Sequence, residues 1–296
     1  MTPNIFSSAR ARRIAQLVGA RGMLVIATAI VLFPFLWVIS LSFTPETDAF
    51  ASTSLVPANP TWDNYLTALA VGGVGPASWN SAVVSVVAVL TNCVFAVGAG
   101  YAFALLPFRG SSVLFYGLVS TAAIPISVTL IPLFLMARGF PLTGGNDVFG
   151  QGGSGLLDSL GGIVLPYIVF PLNLFLARQF FLQAPTELAE AARIDGASEL
   201  RIFARVYVPL AKPLIAVVAI FSFTGVWDDF LWPLVVVSSP EMQTVQLALT
   251  RFVGSGHVLY GPLMAGTVLA TLPVLLVFLF NQRWFISGLS DGGVKG

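Results

Sequence analysis

The stretch Ala184-Pro-Thr-Glu-Leu-Ala-Glu-Ala-Ala-Arg-Ile-Asp-Gly-Ala-Ser-Glu-Leu-Arg-Ile-Phe-Ala-Arg-Val-Tyr-Val-Pro-Leu210 lies between two strongly apolar windows. It reads as two short helices. Thr186 is placed to cap the first, Glu187 and Glu190 sit near its positive end, and Gly196 supplies a left-handed stop. Ser198 is placed to cap the second, where Leu200, Phe203 and Val206 recur at helical spacing before Pro209 ends it. Helices of about ten residues are marginal alone, so both need a surface to pack on. A membrane-surface helix favours a basic polar face, whereas this stretch mixes Glu187, Glu190, Asp195 and Glu199 with its arginines. An Ala-rich, mixed-charge helix with a Gly break suits a groove on a protein partner better than lipid headgroups.

Outside that stretch the chain is apolar. Of 296 residues, 56% are hydrophobic and only 9% charged, against about a quarter charged in an ordinary soluble domain. A soluble globular enzyme is excluded. The net charge of +1 is too balanced for a nucleic-acid binder. One cysteine, Cys93, and one histidine, His257, make neither an internal disulfide nor a multi-ligand zinc site.

A crossing of the hydrocarbon core needs roughly 20 mostly apolar residues. Six windows qualify, approximately Met23 to Phe43, Trp79 to Leu106, Val113 to Ala137, Gly162 to Phe181, Leu214 to Val237 and Gly261 to Gln282. Arg178, near the end of the fourth, and the pair Asp228 and Asp229 in the fifth are the charges within them. With six crossings, twelve basic residues fall on one face and only Arg138 and Arg251 on the other. Basic residues stay inside, so both termini are expected in the cytoplasm of a multi-pass protein of the cytoplasmic membrane. The basic Ser7–Arg21 stretch before the first window resembles a signal sequence, but the apolar run is too long, and it is expected to stay as an anchor.

Glu190-Ala191-Ala192, then Gly196, then Val206, Val208 and Pro209 at fixed intervals resemble the EAA loop of binding-protein-dependent ABC importer permeases, with Val206 and Val208 replacing Ile and Leu. Tyr101-Ala-Phe-Ala-Leu-Leu-Pro-Phe-Arg-Gly110, Leu165-Pro-Tyr167, Trp227-Asp-Asp-Phe-Leu-Trp-Pro233 and Gly292-Gly-Val-Lys-Gly296 resemble the maltose-type carbohydrate-uptake subfamily. The resemblance implies an all-α integral membrane protein with six transmembrane helices, the type I ABC importer permease fold and a cytoplasmic coupling helix. It implies as partners a second homologous permease, an ATPase dimer, an extracytoplasmic solute-binding protein, membrane lipid and a carbohydrate substrate. The loop would dock in a cleft of the ATPase through Glu187, Glu190, Ala191, Ala192 and Asp195, Gly196 would make the turn, and Lys295 in the C-terminal tail would reach the ATPase dimer interface. The division that follows is a cytoplasmic tail at 1–22, a six-helix domain at 23–283 with a permease core at about 76–283, the loop at 184–210 and a cytoplasmic tail at 284–296.

A phosphate loop needs Gly-Lys-Ser/Thr, and neither Lys212 nor Lys295 fits, so ATP and Mg belong on a partner chain and no catalytic residue or metal site is expected here. Asp228 and Asp229 are costly in lipid and face a bundle interior or water. With Trp227, Phe230 and Trp232 they offer a sugar path hydrogen-bond acceptors and aromatic faces; capping of a broken helix is the plainer alternative. Relatives in the subfamily often carry Asn where Asp228 stands, which leaves open a cationic cargo or one protonated Asp. Pro125 and Pro132, seven residues apart, are ordinary kinks or the wall of a path that hinges. Pro60-Thr-Trp-Asp-Asn-Tyr65 reads as a turn and a short amphipathic helix anchored by Trp62 and Tyr65. The segment from Gly139 to Gly162 holds nine glycines and reads as a flexible linker or, by the resemblance, as a loop that meets the binding protein through Asn146, Asp147 and Gln151. His257 reads as a solvated surface residue. The rival classes are a stand-alone proton-coupled secondary transporter using Asp228 or Asp229, and a membrane metal enzyme built on that pair, which has no further acid to complete a magnesium shell.

Overall fold

Each bent apolar window breaks where a proline, Pro125, Pro171 or Pro213, opens its second helix, whereas Pro34 and Pro273 lie inside unbroken helices. A computed structural model describes residues 5–49, 54–106, 108–254 and 257–293, with side chains described within 19–282. Among the described residues three helical stretches are long and apolar enough to cross a membrane: Gly19–Ser42, Val74–Leu105 and Tyr260–Gln282. Three helix pairs are apolar enough together but bent, Ser111–Ala123 with Ile126–Arg138 at 106°, Leu160–Tyr167 with Pro171–Leu182 at 44°, and Glu199–Leu210 with Lys212–Trp227 at 79°. Counting each bent pair as one crossing gives the six expected. The chain forms two compact units, Met1–Gly72 with Phe252–Leu269, and Gly73–Arg251 with Ala270–Gly296.

In the first unit, helix α1 (Ile5–Ser42) begins ahead of the basic segment, so residues 5–22 of the expected tail are helix continuous with the first span. The amphipathic helix expected after Pro60 is α2 (Asp63–Ala70). The last carbonyls of a helix lack intrahelical donors. Here the Asn64 amide donates to Ser42 O (3.0 Å) and Thr44 O (2.7 Å), closing the end of α1. The Glu46 carboxylate accepts from the backbone N–H groups of Tyr260 (3.1 Å) and Gly261 (2.7 Å), at the positive end of the last helix. Trp62 stands edge-on to Phe43 with centroids 4.9 Å apart and is exposed, as an interfacial anchor should be. His257 is exposed on a two-residue antiparallel pairing with Val253–Gly254, as expected.

In the second unit, α3 (Val74–Thr91) passes through a π-turn at Asn92–Ala96 into α4 (Val97–Leu105). Helix α5 (Ser111–Ser120) and α6 (Ile126–Arg138) are split where Ile124 is extended before Pro125, the conformation a proline imposes on its predecessor. Short α7 (Leu160–Val164) leads to α8 (Pro171–Leu182). Close approach of α4 and α8 depends on small residues, since a Cβ on Gly100 would lie 2.4 Å from the Ala177 Cβ. The loop between the fourth and fifth crossings forms α9 (Glu187–Ile194) and α10 (Glu199–Ile202), then a π-turn at Phe203–Tyr207 and α11 (Val208–Leu210). Two expectations need correction here. Neither Thr186 nor Ser198 makes a side-chain cap bond, and Pro209 lies inside α11, with the bend falling at Ala211 instead.

The fifth window, Leu214 to Val237, is also corrected, because α12 (Lys212–Trp227) stops at the aspartates and a separate α13 (Leu231–Val236) follows. Beyond it lie α14 (Val245–Leu249) and the long α15 (Tyr260–Gly293). One core cluster gathers Tyr101, Phe181, Ile202, Tyr207 and Val218 beneath the loop helices, and another gathers Val84, Ile163, Tyr167, Trp232 and Val236. At the break between α7 and α8 the buried Asn92 side chain donates to Tyr167 O (2.8 Å) and accepts from the Phe170 N–H (2.7 Å) and from the Asn173 amide (3.0 Å). Asn173 in turn donates to Ser222 Oγ (2.9 Å), so the Asn92 side chain satisfies the unwound backbone and is itself held through Asn173 and Ser222.

Candidate functional site

Helix α9 is exposed along most of its length. Of its residues only Ala189 is buried, and Glu187, Leu188, Glu190, Ala191 and Ile194 are exposed together. Ile194 is 87% exposed, a poor position for an apolar side chain without a partner. Ala192 is half-buried, and Asp195 is exposed at the C-cap. The turn after α9 is a Schellman motif: the Ala197 N–H donates to Ala192 O (2.9 Å) and the Gly196 N–H to Arg193 O (3.0 Å), with Gly196 at φ 78°. A Cβ at Gly196 would meet nothing within 4 Å, so glycine is needed there for its backbone alone. Lys295 lies outside the described residues.

The second cluster is the break between α12 and α13. Asp228 is the C-cap of α12 and is exposed. Asp229 Oδ1 accepts from the Leu231 N–H (2.9 Å) at the start of α13, and its Oδ2 accepts from the Tyr167 hydroxyl. Asp229 therefore braces the helix break through an i to i+2 turn just ahead of α13, while the exposed Asp228 is the carboxylate that faces outward from the break. The stacking role expected for Trp227 and Trp232 is corrected, because both rings are buried in the core. Trp227 lies against Phe223 at 5.3 Å and 14°, and its indole N–H donates to Ala270 O (2.9 Å); the Trp232 N–H donates to Gly162 O (3.1 Å). Phe230, 37% exposed, is the aromatic that remains available at the break. Pro125 caps α6 at the 106° bend and Pro132 lies two turns along it, both exposed.

The glycine-rich segment is no loose linker. The buried Asn146 amide donates to Arg138 O (2.8 Å) and Phe140 O (3.0 Å) and its oxygen accepts from the Gly153 N–H (2.7 Å). Asp147 Oδ1 accepts from the N–H groups of Phe149 (2.8 Å) and Gln151 (2.9 Å). Asn146 is thus an internal strut, whereas Asp147 and Gln151 are exposed. Beside them stand Leu142 (74%), Val148 (64%) and Phe149 (82%), the most exposed apolar side chains of this loop. The segment ends at Asp158, whose carboxylate accepts from the N–H groups of Ser238 (3.0 Å) and Ser239 (2.9 Å) beyond α13.

The family described as binding-protein-dependent transport system inner membrane component matches residues 95–291, from the π-turn in the second span to the end of the last helix. The chain belongs to this family. It is the permease subunit of an ABC importer and a multi-pass inner-membrane protein, which decides against a stand-alone proton-coupled transporter. This permease is 34% identical over 270 residues to the arabinooligosaccharides transport system permease protein AraQ of Bacillus subtilis, covering 90% of this chain and 91% of that one. It is 30% identical over 286 residues to the maltose/maltodextrin transport system permease protein MalG of Photorhabdus laumondii, covering 90% and 92%. A crystal structure of a bacterial ABC transporter involved in the import of the acidic polysaccharide alginate contains a chain similar in fold, with TM-score 0.77 and 24% identity over 93% of this chain and 98% of that one.

Sequence reasoning missed several partners that the folded permease brings together. The contacts Tyr167–Asp229, Asn92–Asn173–Ser222, Asp158–Ser239 and Tyr101–Glu199 all join residues 49 or more positions apart. A polar side chain inside an apolar window was the signal available for Asn92, Asn173 and Ser222, since such groups in lipid require partners.

Proposed function

We infer that this permease moves a sugar or sugar-like solute inward by alternating access, driven by ATP and Mg bound on a partner ATPase dimer. The observation that carries the coupling half of this reading is α9, a helix with one buried residue and an exposed Leu188, Ala191 and Ile194 face flanked by Glu187 and Glu190. Such a face suits a groove on the ATPase. The cargo class is supported by relatives named for arabinooligosaccharides, maltodextrin and trehalose. Both termini lie in the cytoplasm, with Lys295 on the tail toward the ATPase.

At the break between α12 and α13, the carboxylate of Asp228 and the ring of Phe230 meet the cargo, and Asp229 holds the break open through Tyr167 and Leu231. Pro125 and Pro132 flank the path on α6. The extracytoplasmic binding protein is met by Leu142, Val148 and Phe149, with Asp147 and Gln151 at the rim. Reconstitution with the second permease and the ATPase tests the reading. Uphill uptake is expected with ATP and binding protein present and is absent when the ATPase is left out. Uphill uptake by this chain alone overturns it.

A further inference from the structure

The lever helix α9 has few attachments to the membrane helices. Besides its covalent ends and the packing of Ala189 and Ala192 on the core, α9 is tied by Arg193, whose Nε donates to Glu199 Oε1 (2.6 Å) and whose terminal nitrogen donates to Oε2 (3.2 Å). This fork spans the Gly196 turn. The same Glu199 Oε2 accepts from the hydroxyl of Tyr101 (3.3 Å), which stands near the end of the second span. The Tyr101 ring is 4% exposed and is held by Phe181 of α8 at 5.6 Å and by Phe203 and Tyr207 of the π-turn at 4.9 and 5.3 Å. The Tyr207 hydroxyl donates to Pro185 O (3.2 Å), where the loop begins.

We propose that Tyr101 and the Arg193–Glu199 pair are positioning residues for coupling: through them the orientation of α9 is set against the second span, α8 and the base of the fifth crossing. The inference rests on the coupling role assigned to α9 above. A bidentate fork fixes the angle between two planar groups, where a single bond would leave it free. The fork is exposed and its net strength is small, so it does not carry the stroke by itself. It selects among lever orientations that the ATPase pushes, and a hydrogen bond of ordinary strength changes such a population by about 2- to 10-fold. Without it, α9 turns on the Gly196 hinge and part of each stroke does not reach α4.

The test is the ratio of solute moved to ATP hydrolysed by the complete assembly in proteoliposomes. Tyr101→Phe keeps the ring and removes only the hydroxyl; the ratio falls by about 2- to 10-fold. Arg193→Lys keeps the charge and removes the fork, and gives a similar fall. The double variant falls no further than the worse single one, because the two bonds act in series through Glu199. Exchanging the pair, Arg193→Glu with Glu199→Arg, recovers most of what Glu199→Arg alone loses. A purely structural role would lower thermal stability and leave the ratio alone. Unchanged ratios in Tyr101→Phe and Arg193→Lys, or losses that multiply in the double variant, overturn the proposal. If Tyr101→Phe does not assemble, Arg193→Lys and the exchanged pair decide it. A wild-type preparation that binds no ATPase removes the coupling reading and the relay with it, whereas wild-type coupling with unchanged variants removes the relay alone.

Discussion

Asp158 accepts two hydrogen bonds from Ser239, from its backbone N–H and from its hydroxyl, both at 2.9 Å, with Oδ1 as the acceptor each time. The two residues stand 81 positions apart and tie the end of the glycine-rich loop to the chain beyond α13. Three donors on one carboxylate, the Ser239 N–H foremost, hold its pKa below the ordinary aspartate value. A depressed native pKa means that folding favours the ionised form, so this stabilisation is present above the unfolded pKa of about 4 and is lost as pH falls through the native value. Asp158→Asn removes the charge while tolerating the left-handed backbone at φ 53°. Melting of the purified permease should be lower in the variant at pH 7, and the difference should close as both proteins are taken toward pH 3. A difference that is constant with pH would assign the loop's anchorage to something other than this carboxylate.

The network around Asn92 is a matter of satisfying backbone that a broken helix leaves open. Asn92→Leu leaves the Phe170 N–H, which bonds Asn92 Oδ1 at 2.7 Å, without its partner in a buried site. One orphaned buried group costs about 1–3 kcal/mol, and the variant also releases the Asn173 amide. Ser222→Ala removes only the 2.9 Å bond from Asn173 and should cost about 1 kcal/mol. Thermal unfolding in detergent should therefore rank wild type above Ser222→Ala and Ser222→Ala well above Asn92→Leu. Equal stability of the two variants would mean that water or backbone movement repairs the break.

What was legible in the sequence followed from local rules. Twenty-residue apolar windows gave the crossings, and Gly196 after a helix with Ala192 and Arg193 in its last turn gave the Schellman stop, found at φ 78°. What was not legible depended on partners distant in the chain. Trp227 and Trp232 look like stacking surfaces beside two aspartates, yet each indole N–H has a carbonyl partner, Ala270 and Gly162, that no spacing rule indicates. Likewise Asn146 reads as a flexible, exposed polar residue until the fold brings Arg138 O, Phe140 O and Gly153 N to its amide. A helix break at Asp228 was weighed from the charge pair, but an apolar window of membrane length hides it, because hydropathy does not register where the backbone unwinds.

The two aspartates at that break are expected to separate by experiment. Asp229 is committed to Leu231 and to Tyr167, so Asp229→Ala removes a hydrogen bond worth roughly 1 kcal/mol and leaves the Tyr167 hydroxyl unpartnered. Its melting temperature should fall. Asp228 is exposed, and Asp228→Asn should change stability by no more than about 0.5 kcal/mol while raising the apparent KM for uptake in the assembled importer. Unfolding curves and solute uptake measured on the same preparations give both quantities. A normal KM in Asp228→Asn would take that residue out of the cargo path.

Gly196 offers the cleanest test of the lever turn, because a side chain there has room: nothing lies within 4 Å of its Cβ position, and φ is 78°. Any loss on substitution must then come from the backbone conformation. Asn enters the left-handed region with little cost, Ala at about 1 kcal/mol, and a β-branched residue at more. ATP-driven uptake should therefore decline in the order Gly, Asn, Ala, Val at position 196, with Asn close to wild type and Val strongly impaired. Membrane levels should stay equal, since the turn lies outside the spans. The order matters more than any single value. If Asn and Val transported alike, the left-handed turn would not be what the coupling loop requires of this residue, and a contact between Gly196 and the ATPase surface would be the better explanation of any shared loss.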